Sequence, residues 1–203
     1  MMQTNDQTAQ NQAAPKNELL EWVKALLFAF GIVFVVRWLL FSPFIVDGES
    51  MLPNFRNGER MIVNKLIYDL REPRRGEVIV FLAPEGKDYI KRVIGEPGDR
   101  VRVEGDVVYV NGEPIDEPYL REKLDEAAQR GVPYNSGLYS HYGEVTVPED
   151  ALFVLGDNRP RSKDSRSPDV GFVPFDNIVG RADVVYWPIS SIRLVNHGGE
   201  EKR

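Results

Sequence analysis

The hydrophobic and polar positions divide the chain into one apolar stretch near the N-terminus and a longer region of short alternating runs. The apolar stretch runs from residue 19 to residue 41. Its charged residues are Glu21, Lys24 and Arg37. Its uninterrupted apolar core, 25–36, is shorter than the roughly 20 residues of a membrane span. Lys24 and Arg37 stand near the two ends, however, where long cationic side chains reach the membrane surface. We therefore predict a membrane-anchoring helix over 18–42 rather than a buried core helix.

The sequence after this core lacks a signal-peptide cleavage site, which requires small residues at −1 and −3. Ser42 is the one small residue near the expected position, and it has Leu40 at −3 and Pro43 at +1. We therefore predict that the helix is retained. Basic residues flank both of its ends, so charge alone leaves its orientation open.

From Pro43 to about residue 195, short runs of Val, Ile and Phe alternate with turn-forming residues. This pattern is typical of strands, so we predict a mainly β domain with an antiparallel sheet over 43–195. The pair Asn111-Gly112 after an apolar run predicts a type I′ hairpin. The predicted strands are Phe44–Val46, Arg60–Asn64, Glu77–Leu82, Asp88–Ile94, Arg100–Val103, Val107–Val110, Ala151–Leu155 and Arg181–Trp187.

One helix interrupts the predicted strands, at Glu117–Arg130, and Gly131 is its stop signal. Residues 132–143 are typical of a loop. We therefore predict that 113–149 is a cap-like excursion from the β domain. The polar termini, 1–17 and 196–203, are predicted to be a disordered tail and a frayed tail.

Composition removes several kinds of chemistry. The chain has no cysteine, which excludes disulfides, thiolate metal sites and cysteine nucleophiles. It has two histidines, which argues against His-rich metal sites and most His-based catalysis. A net charge of −6 gives no electrostatic support for binding nucleic acid. We expect no metal, no other cofactor and no nucleic-acid partner.

Three segments, 46–53, 89–99 and 156–166, carry more polar and turn-forming residues than a plain β domain needs. In the second segment, Lys91 lies between apolar neighbours on a strand. A lysine on such a face is desolvated, which lowers its pKa and makes it a candidate general base, a role that Arg92 cannot take. The alternative, which is the default for an isolated strand lysine, is a side chain that reaches water.

In the first segment, Gly48 and Pro53 flank Ser50 and hold it on a tight corner at the end of a strand. The alternative is an ordinary turn serine. In the third segment, Asp164 and Arg166 are two residues apart on an extended stretch. They can pair with each other or with Asp157, and the alternative is a salt-bridged surface loop.

Taken together, the three segments resemble the type I signal peptidases of bacteria, and the resemblance covers about 18–195. The family's Ser-Met-x-Pro-Thr motif is similar to Ser50–Asn54, with Asn54 in place of the threonine. The motif Lys-Arg-x-x-Gly-x-Pro-Gly-Asp is complete at 91–99, and Gly-Asp-Asn-Arg…Ser-x-Asp-Ser-Arg is complete at 156–166. An Arg-Gly-Asp-x-Val-x-Phe strand is similar to Arg75–Phe81, with Glu77 replacing the aspartate.

The resemblance implies a role for each matching residue. Ser50 would be the nucleophile and would donate its backbone N–H to the oxyanion. Lys91 would be the general base, and Ser162 would orient its amine. Three further residues would hold the site together without reacting: Asp157, Asp164 and Arg166. Some relatives carry a second oxyanion donor, a serine, where this chain has Gly48.

The resemblance also implies location and partners. The chain would be a single-pass membrane protein with its catalytic domain on the extracytoplasmic side and residues 1–17 in the cytoplasm. Its partners would be secretory preproteins bearing signal peptides and the lipid bilayer, with Trp187 and the 41–44 run near the bilayer surface. It would remove signal peptides by cutting after small residues at −1 and −3.

Two predicted strands converge on the candidate dyad and leave a slot between them. An extended substrate can fill such a slot by pairing its main chain, and its alternate side chains, −1 and −3, then point the same way. The candidate substrate-binding residues are Ile45, Val46, Asp47, Gly48, Tyr89 and Ile90.

The sequence leaves three other functions open. A Ser/Lys autoprotease of the repressor-cleavage type shares the dyad, but it has no anchor and usually carries a DNA-binding half. A membrane-anchored β module that binds a partner without catalysis would not need Ser50 or Lys91. A Ser-His-Asp hydrolase would have to use His141, but the chain lacks the Gly-x-Ser-x-Gly elbow of that fold.

Overall fold

Helix α1 (Glu18–Leu40) forms where the sequence predicts a helix. The computed structural model describes residues 18–198 and divides the chain into two compact units with a boundary between Leu39 and Leu40. The tail 1–17 and the last residues of the second tail, 199–203, lie outside the described residues. Along α1 the apolar side chains from Leu20 to Phe34 are exposed.

Across the part of the chain that the structure describes, no helix combines the length and the apolar character of a membrane span. The helix predicted for this stretch is thus confirmed, whereas the transmembrane anchor predicted over 18–42 is not.

Within residues 40–198 the chain forms twelve strands and two α-helices, joined by turns and single turns of 3₁₀ helix. The strands are β1 Phe41–Ile45, β2 Arg60–Asn64, β3 Val78–Leu82, β4 Asp88–Gly95, β5 Arg100–Glu104, β6 Val107–Val110, β7 Glu113–Pro114, β8 His141–Thr146, β9 Ala151–Leu155, β10 Val173–Pro174, β11 Ile178–Trp187 and β12 Arg193–Leu194. The helices are α2 Ile67–Leu70 and α3 Arg121–Arg130.

The strands form two sheets in which every pair is antiparallel. The larger sheet has the order β1-β2-β11-β3-β4-β9-β10, with β12 paired to β11, and the smaller one has the order β7-β6-β5-β8. The predicted mainly β, antiparallel fold is confirmed. Strand β4 lies inside the larger sheet, between β3 and β9, so Lys91 is not on an edge strand.

The core explains why β3 and β9 are continuous apolar runs. Alternate residues of a strand point to opposite faces of a sheet. Val78 and Val80 of β3 pack in one cluster of buried side chains, and Ile79 and Phe81 pack in a second. Strand β9 likewise contributes to the second cluster and to a third, which it shares with β5 and β6. Both strands are therefore buried on both faces.

Two local predictions are confirmed at their turns. Asn111 and Gly112 both have positive φ, 55° and 87°, as the type I′ hairpin between β6 and β7 requires. Gly131 ends α3 in the left-handed conformation, with φ 66°.

Two other local predictions are wrong in part. Strand β8 begins at His141, inside the predicted loop 132–143, because pairing with β5 orders residues 141–146. The tail 196–203 is fixed at its start, since Asn196 O accepts a hydrogen bond from Arg92 and His197 Nδ1 accepts one from the Val78 N–H.

Candidate active site

The side chains of Ser50 and Lys91, 41 residues apart in sequence, meet in the structure. Lys91 Nζ lies 2.8 Å from Ser50 Oγ, and it also donates to the Ile90 carbonyl at 2.8 Å. At this distance a neutral amine can accept the proton of the serine hydroxyl. The pair thus has the geometry of a nucleophile and its base.

The position of Ser50 is fixed by the turn that follows it. Leu52 N–H donates to the Glu49 carbonyl and Phe55 N–H donates to the Met51 carbonyl. The Met51 and Phe55 side chains are 1% and 2% exposed and pack in the first core cluster. Buried side chains below the turn therefore hold the hydroxyl in place.

Lys91 is buried, with 3% of its surface exposed. Burial disfavours the ammonium and lowers the pKa of Lys91 to about 8, although the carboxylates of Asp164 and Asp157 act in the opposite direction. A lysine with this pKa has a substantial neutral fraction near neutral pH, which an exposed lysine lacks. The interpretation of Lys91 as a surface lysine is wrong for this structure.

Asp157 joins the loop after β9 to the strand that carries Lys91. Its two carboxylate oxygens accept from Arg92 Nε at 2.9 Å and Arg92 Nη2 at 2.7 Å, and neither side chain is exposed by more than 1%. The next residue, Asn158, donates its N–H to the Ser50 carbonyl at 2.9 Å. This loop is thus bonded both to the strand of the base and to the nucleophile.

Asp164 and Arg166 pair with each other, one of the two arrangements that the sequence left open. Arg166 Nε and Nη2 each donate to the Asp164 carboxylate at 2.8 Å, and both side chains are fully buried. The same carboxylate accepts from the Gly156 N–H at 3.0 Å, and Arg166 also donates to the Arg159 carbonyl. The pair holds the loop 156–166 in its closed shape.

The Ser162 hydroxyl is buried and makes no hydrogen bond to any residue in 18–198. The contact with the Lys91 amine that the resemblance implies is therefore not formed in this structure. A Cβ added to Gly156 would lie 2.1 Å from Ser162 Oγ and 2.5 Å from the Ser50 carbonyl O. Ser162 is therefore packed close to the nucleophile, and only glycine fits between them.

The excursion supplies residues that sequence reasoning missed. The Tyr119 ring stacks on the Arg92 guanidinium at 3.7 Å, and Tyr119 also donates its hydroxyl to Glu117. Glu117 in turn forms a buried double hydrogen bond with Arg159, in which Nη1 donates at 3.0 Å. No local signal in the sequence indicates the contacts of Tyr119 with Arg92 and of Glu117 with Arg159, because each joins residues of separate segments.

Asn54, which stands where the family motif has threonine, bridges two of these elements. Its Nδ2 donates to Asp157 Oδ2 at 2.8 Å and to the Tyr119 carbonyl at 3.1 Å.

Glu77, the other departure from the motifs, lies outside the dyad and pairs with Arg71 and Arg181. These pairs lower the pKa of Glu77 to about 2 even though burial opposes the shift.

The candidate substrate-binding residues divide into two groups. Val46 and Ile90 are buried, at 3% and 8% exposure, and pack in the same core cluster. The exposed members are Ile45, Asp47 and Gly48, and Tyr89 is half-buried. Residues of both groups come from the segments of β1 and β4. These strands are not neighbours in the larger sheet, so their main chains are not paired with each other.

The Ser50 N–H is available to an oxyanion. The Ser50 N–H makes no hydrogen bond to the residues that the structure describes. Gly48, with φ 99°, directs its N–H to Asn57 Oδ1 at 2.9 Å and offers no hydroxyl.

Among residues 18–198 no group of three His, Cys, Asp or Glu side chains is placed to hold a metal ion. His141 lies on β8, opposite Glu104, and contacts Ser140 rather than Ser50.

Comparison with known proteins points to one family. Residues 19–187 match the model of the family described as signal peptidase, peptidase S26. The signal peptidase I of Bacillus licheniformis is 39% identical over 187 residues, which cover 92% of this chain and 98% of that protein. The signal peptidase I of Bacillus caldolyticus is 45% identical over 160 residues, 79% and 87% of the two chains.

Two further relatives come from other genera. Signal peptidase IB of Staphylococcus aureus (strain Mu50) is 40% identical over 185 residues, 88% of this chain and 94% of that protein. A crystal structure of a signal peptidase I from Enterococcus faecalis V583 is 36% identical, with a TM-score of 0.43, and covers 55% of this chain and 97% of that one.

Proposed function

Because this chain belongs to the signal peptidase family, peptidase S26, we propose that Ser50 is its nucleophile and Lys91 its general base. The chain is a serine endopeptidase that removes signal peptides from preproteins. The comparisons support neither the repressor-type autoprotease nor the non-catalytic β module. The observation that carries the assignment of the dyad is the 2.8 Å distance between Lys91 Nζ and Ser50 Oγ.

In the proposed reaction, Ser50 Oγ attacks the carbonyl carbon before the cleavage site while its proton passes to neutral Lys91 Nζ. The carbonyl oxygen becomes an oxyanion and accepts a hydrogen bond from the Ser50 N–H. When the intermediate collapses, the Lys91 ammonium gives its proton to the leaving amine, and an ester with Ser50 remains. Water then attacks the ester while one of its protons passes to Lys91. The second intermediate collapses as the bond to Ser50 Oγ breaks, Oγ takes the proton back from the Lys91 ammonium, and the signal peptide leaves as a carboxylic acid that ionises in water.

Four residues act by positioning. Ser162 is proposed to orient the Lys91 amine, because its hydroxyl is buried near Ser50 and otherwise lacks a partner among the described residues. Asp157, Asp164 and Arg166 keep the loop around Ser162 in place through buried ion pairs. None of these three has to react with the substrate.

The proposed specificity for small substrate residues at −1 and −3 follows from the rigid walls of the pockets that would hold them. Substrate is proposed to lie along Ile45–Gly48 and Tyr89–Ile90, with its main chain paired to these segments. Because Val46 and Ile90 are packed in the core cluster, a pocket bounded by them stays shallow. A large side chain at −1 would overpack such a pocket, which costs about 1–3 kcal/mol.

We also infer that α1 attaches the enzyme to the bilayer in a single pass, with the catalytic unit on the extracytoplasmic side. At 1.5 Å per residue its 23 residues measure about 35 Å, near the roughly 30 Å of a bilayer core. Exposed apolar side chains on the catalytic unit support lipid contact: Trp187, Ile189, Ile192 and Leu194. Resistance of the full chain to carbonate extraction, with protease access from outside only, is the expected result. Release by carbonate would contradict the attachment.

The reaction is tested with detergent-purified full chain and a secretory precursor that carries alanine at −1 and −3. Wild type should produce one new N-terminus, identified by sequencing, and Ser50→Ala should produce none. Ser136→Ala removes an exposed loop hydroxyl and is the matched control. Cleavage by Ser50→Ala at the wild-type rate would refute the assignment of the nucleophile.

A further inference from the structure

A groove of about 640 Å³ opens beside the nucleophile, between the turn after Ser50 and helix α3. Leu52 and Pro53 form part of it, two and three residues after Ser50. Asn158, whose N–H binds the Ser50 carbonyl, lines it as well. Its volume lies in the range of about 300–1,000 Å³ that is common for ligand sites.

The groove is basic in a protein that is acidic overall. Four cationic side chains line it: Arg56, Lys123, Arg130 and Arg161. Glu126 is the one carboxylate among the lining residues, so their formal charges sum to +3 against −6 for the chain. Arg161 also pairs at 3.4 Å with Glu49, which does not line the groove. Lys123 pairs with Glu126 at 2.8 Å. Within residues 18–198, Arg56 and Arg130 take part in no ion pair, so their charges are available to a ligand.

The groove lies apart from the surfaces that would hold the substrate before the cleavage site. None of the residues in 45–48 or 89–90 lines it. A substrate that reaches Ser50 along those segments extends beyond the nucleophile. The turn 52–53, which directly follows the Ser50 corner in sequence, lines the groove. The first residues of the mature protein would therefore enter this groove.

We propose that the groove binds the start of the mature protein and favours acidic side chains there. This inference rests on the proposed function, because it names a further part of the same substrate. Opposite charge in the groove strengthens binding of an acidic segment and weakens binding of a basic one. A partly exposed ion pair of this kind changes affinity by a few-fold rather than by orders of magnitude.

The test uses two peptides that share one signal-peptide segment and differ only at +2 and +4, with glutamate in one and glutamine in the other. The kcat/KM ratio of the glutamate peptide to the glutamine peptide should be about three- to tenfold for the wild-type full chain in neutral detergent. The ratio should fall towards one as NaCl rises from roughly 50 to roughly 500 mM, because salt screens exposed charges.

Arg130→Gln and Arg56→Gln should each lower this ratio, and Arg121→Gln should not. Arg121 is the matched control because it is an exposed arginine on the same helix as Arg130, outside the groove. A wild-type ratio near one, with both peptides cleaved, would overturn the inference and leave the proposed function standing. If neither peptide is cleaved, the proposed function fails and the inference fails with it.

An anionic lipid headgroup has the same charge as an acidic peptide, so vesicles of phosphatidylcholine with and without phosphatidylglycerol form the second arm. A peptide ratio near one, together with phosphatidylglycerol binding that Arg130→Gln weakens, would assign the groove to the membrane and overturn the inference. A peptide ratio that Arg130→Gln lowers, with vesicle binding unchanged by the variant, supports it.

Discussion

Replacing Lys91 by methionine should abolish cleavage and at the same time remove a destabilising charge from the protein interior. Methionine has a similar length, so it fills the same space without an ammonium. Lys91 is 3% exposed, and burial lowers its pKa from 10.5 to about 8. The folded protein thus binds the proton of this side chain more weakly than the unfolded chain does.

The size and sign of the effect follow from this difference in pKa. Each pKa unit corresponds to about 1.4 kcal/mol, so at pH 7 the buried ammonium lowers the free energy of unfolding by about 3 kcal/mol. The penalty is present below the folded pKa of about 8 and disappears as the pH rises towards 10.5, the unfolded value. At pH 9.5 roughly half of this penalty in the free energy of unfolding is lost. The free energy of unfolding of wild type relative to Lys91→Met should therefore rise by about 2 kcal/mol between pH 7 and pH 9.5.

Urea unfolding of the full chain in detergent, followed by tryptophan fluorescence, measures this difference at pH 7, 8 and 9.5. The variant also loses hydrogen bonds to Ser50 and to the Ile90 carbonyl, which adds an offset independent of pH. The pH dependence of the difference is therefore the test, and the titration of other groups cancels in it. Lys87→Met, at an exposed lysine, should show no such dependence. A wild-type minus Lys91→Met difference that stays constant from pH 7 to pH 9.5 would refute the reasoning.

Three further predictions concern activity. Lys91→Arg should be inactive in the precursor assay, since guanidinium does not release its proton at working pH, whereas Lys87→Arg should be normal. The kcat/KM of wild type on a peptide should rise with pH to a plateau above the pKa of about 8, and a profile flat down to about pH 5 would exclude a lysine base. Gly156→Ala should lower kcat by roughly 100-fold, because its Cβ would come within 2.5 Å of the Ser50 carbonyl O, while Gly143→Ala, with open space around it, should not. A kcat ratio near one between these two alanine variants would contradict the packing argument.

The strands that the sequence predicts best are those bounded by turn residues on both sides. The predicted and observed bounds of β2 and β6 are identical, 60–64 and 107–110. Strand β8 could not be predicted in this way, since it has glycine in its middle, no fully buried side chain and a partner, β5, some forty residues earlier. Strand β8 is formed by its pairing with β5, and a local sequence pattern does not indicate such a distant partner.

The candidate site likewise depends partly on local sequence motifs and partly on contacts between distant segments. Motifs and family resemblance single out Ser50 and Lys91, but only the fold brings the two side chains to 2.8 Å. The pairing of Glu117 with Arg159 had no signal in the sequence: Arg159 belongs to the Gly-Asp-Asn-Arg motif, but the motif does not indicate its partner, and a glutamate before a helix is an ordinary surface residue. Burial makes the pair important, and burial depends on how the excursion packs.

Lys91 keeps a lowered pKa although two carboxylates lie near it, and each of these carboxylates is paired with a buried arginine. Asp157 and Asp164 both act to raise the pKa of Lys91, and two unpaired carboxylates would favour its ammonium. Each carboxylate instead has an arginine within 3 Å, Arg92 for Asp157 and Arg166 for Asp164. Burial is nevertheless the largest influence on the pKa of Lys91, and the net shift is downward. The arginines thus neutralise the carboxylates beside Lys91 and hold the shape of the site, although neither has to touch the substrate.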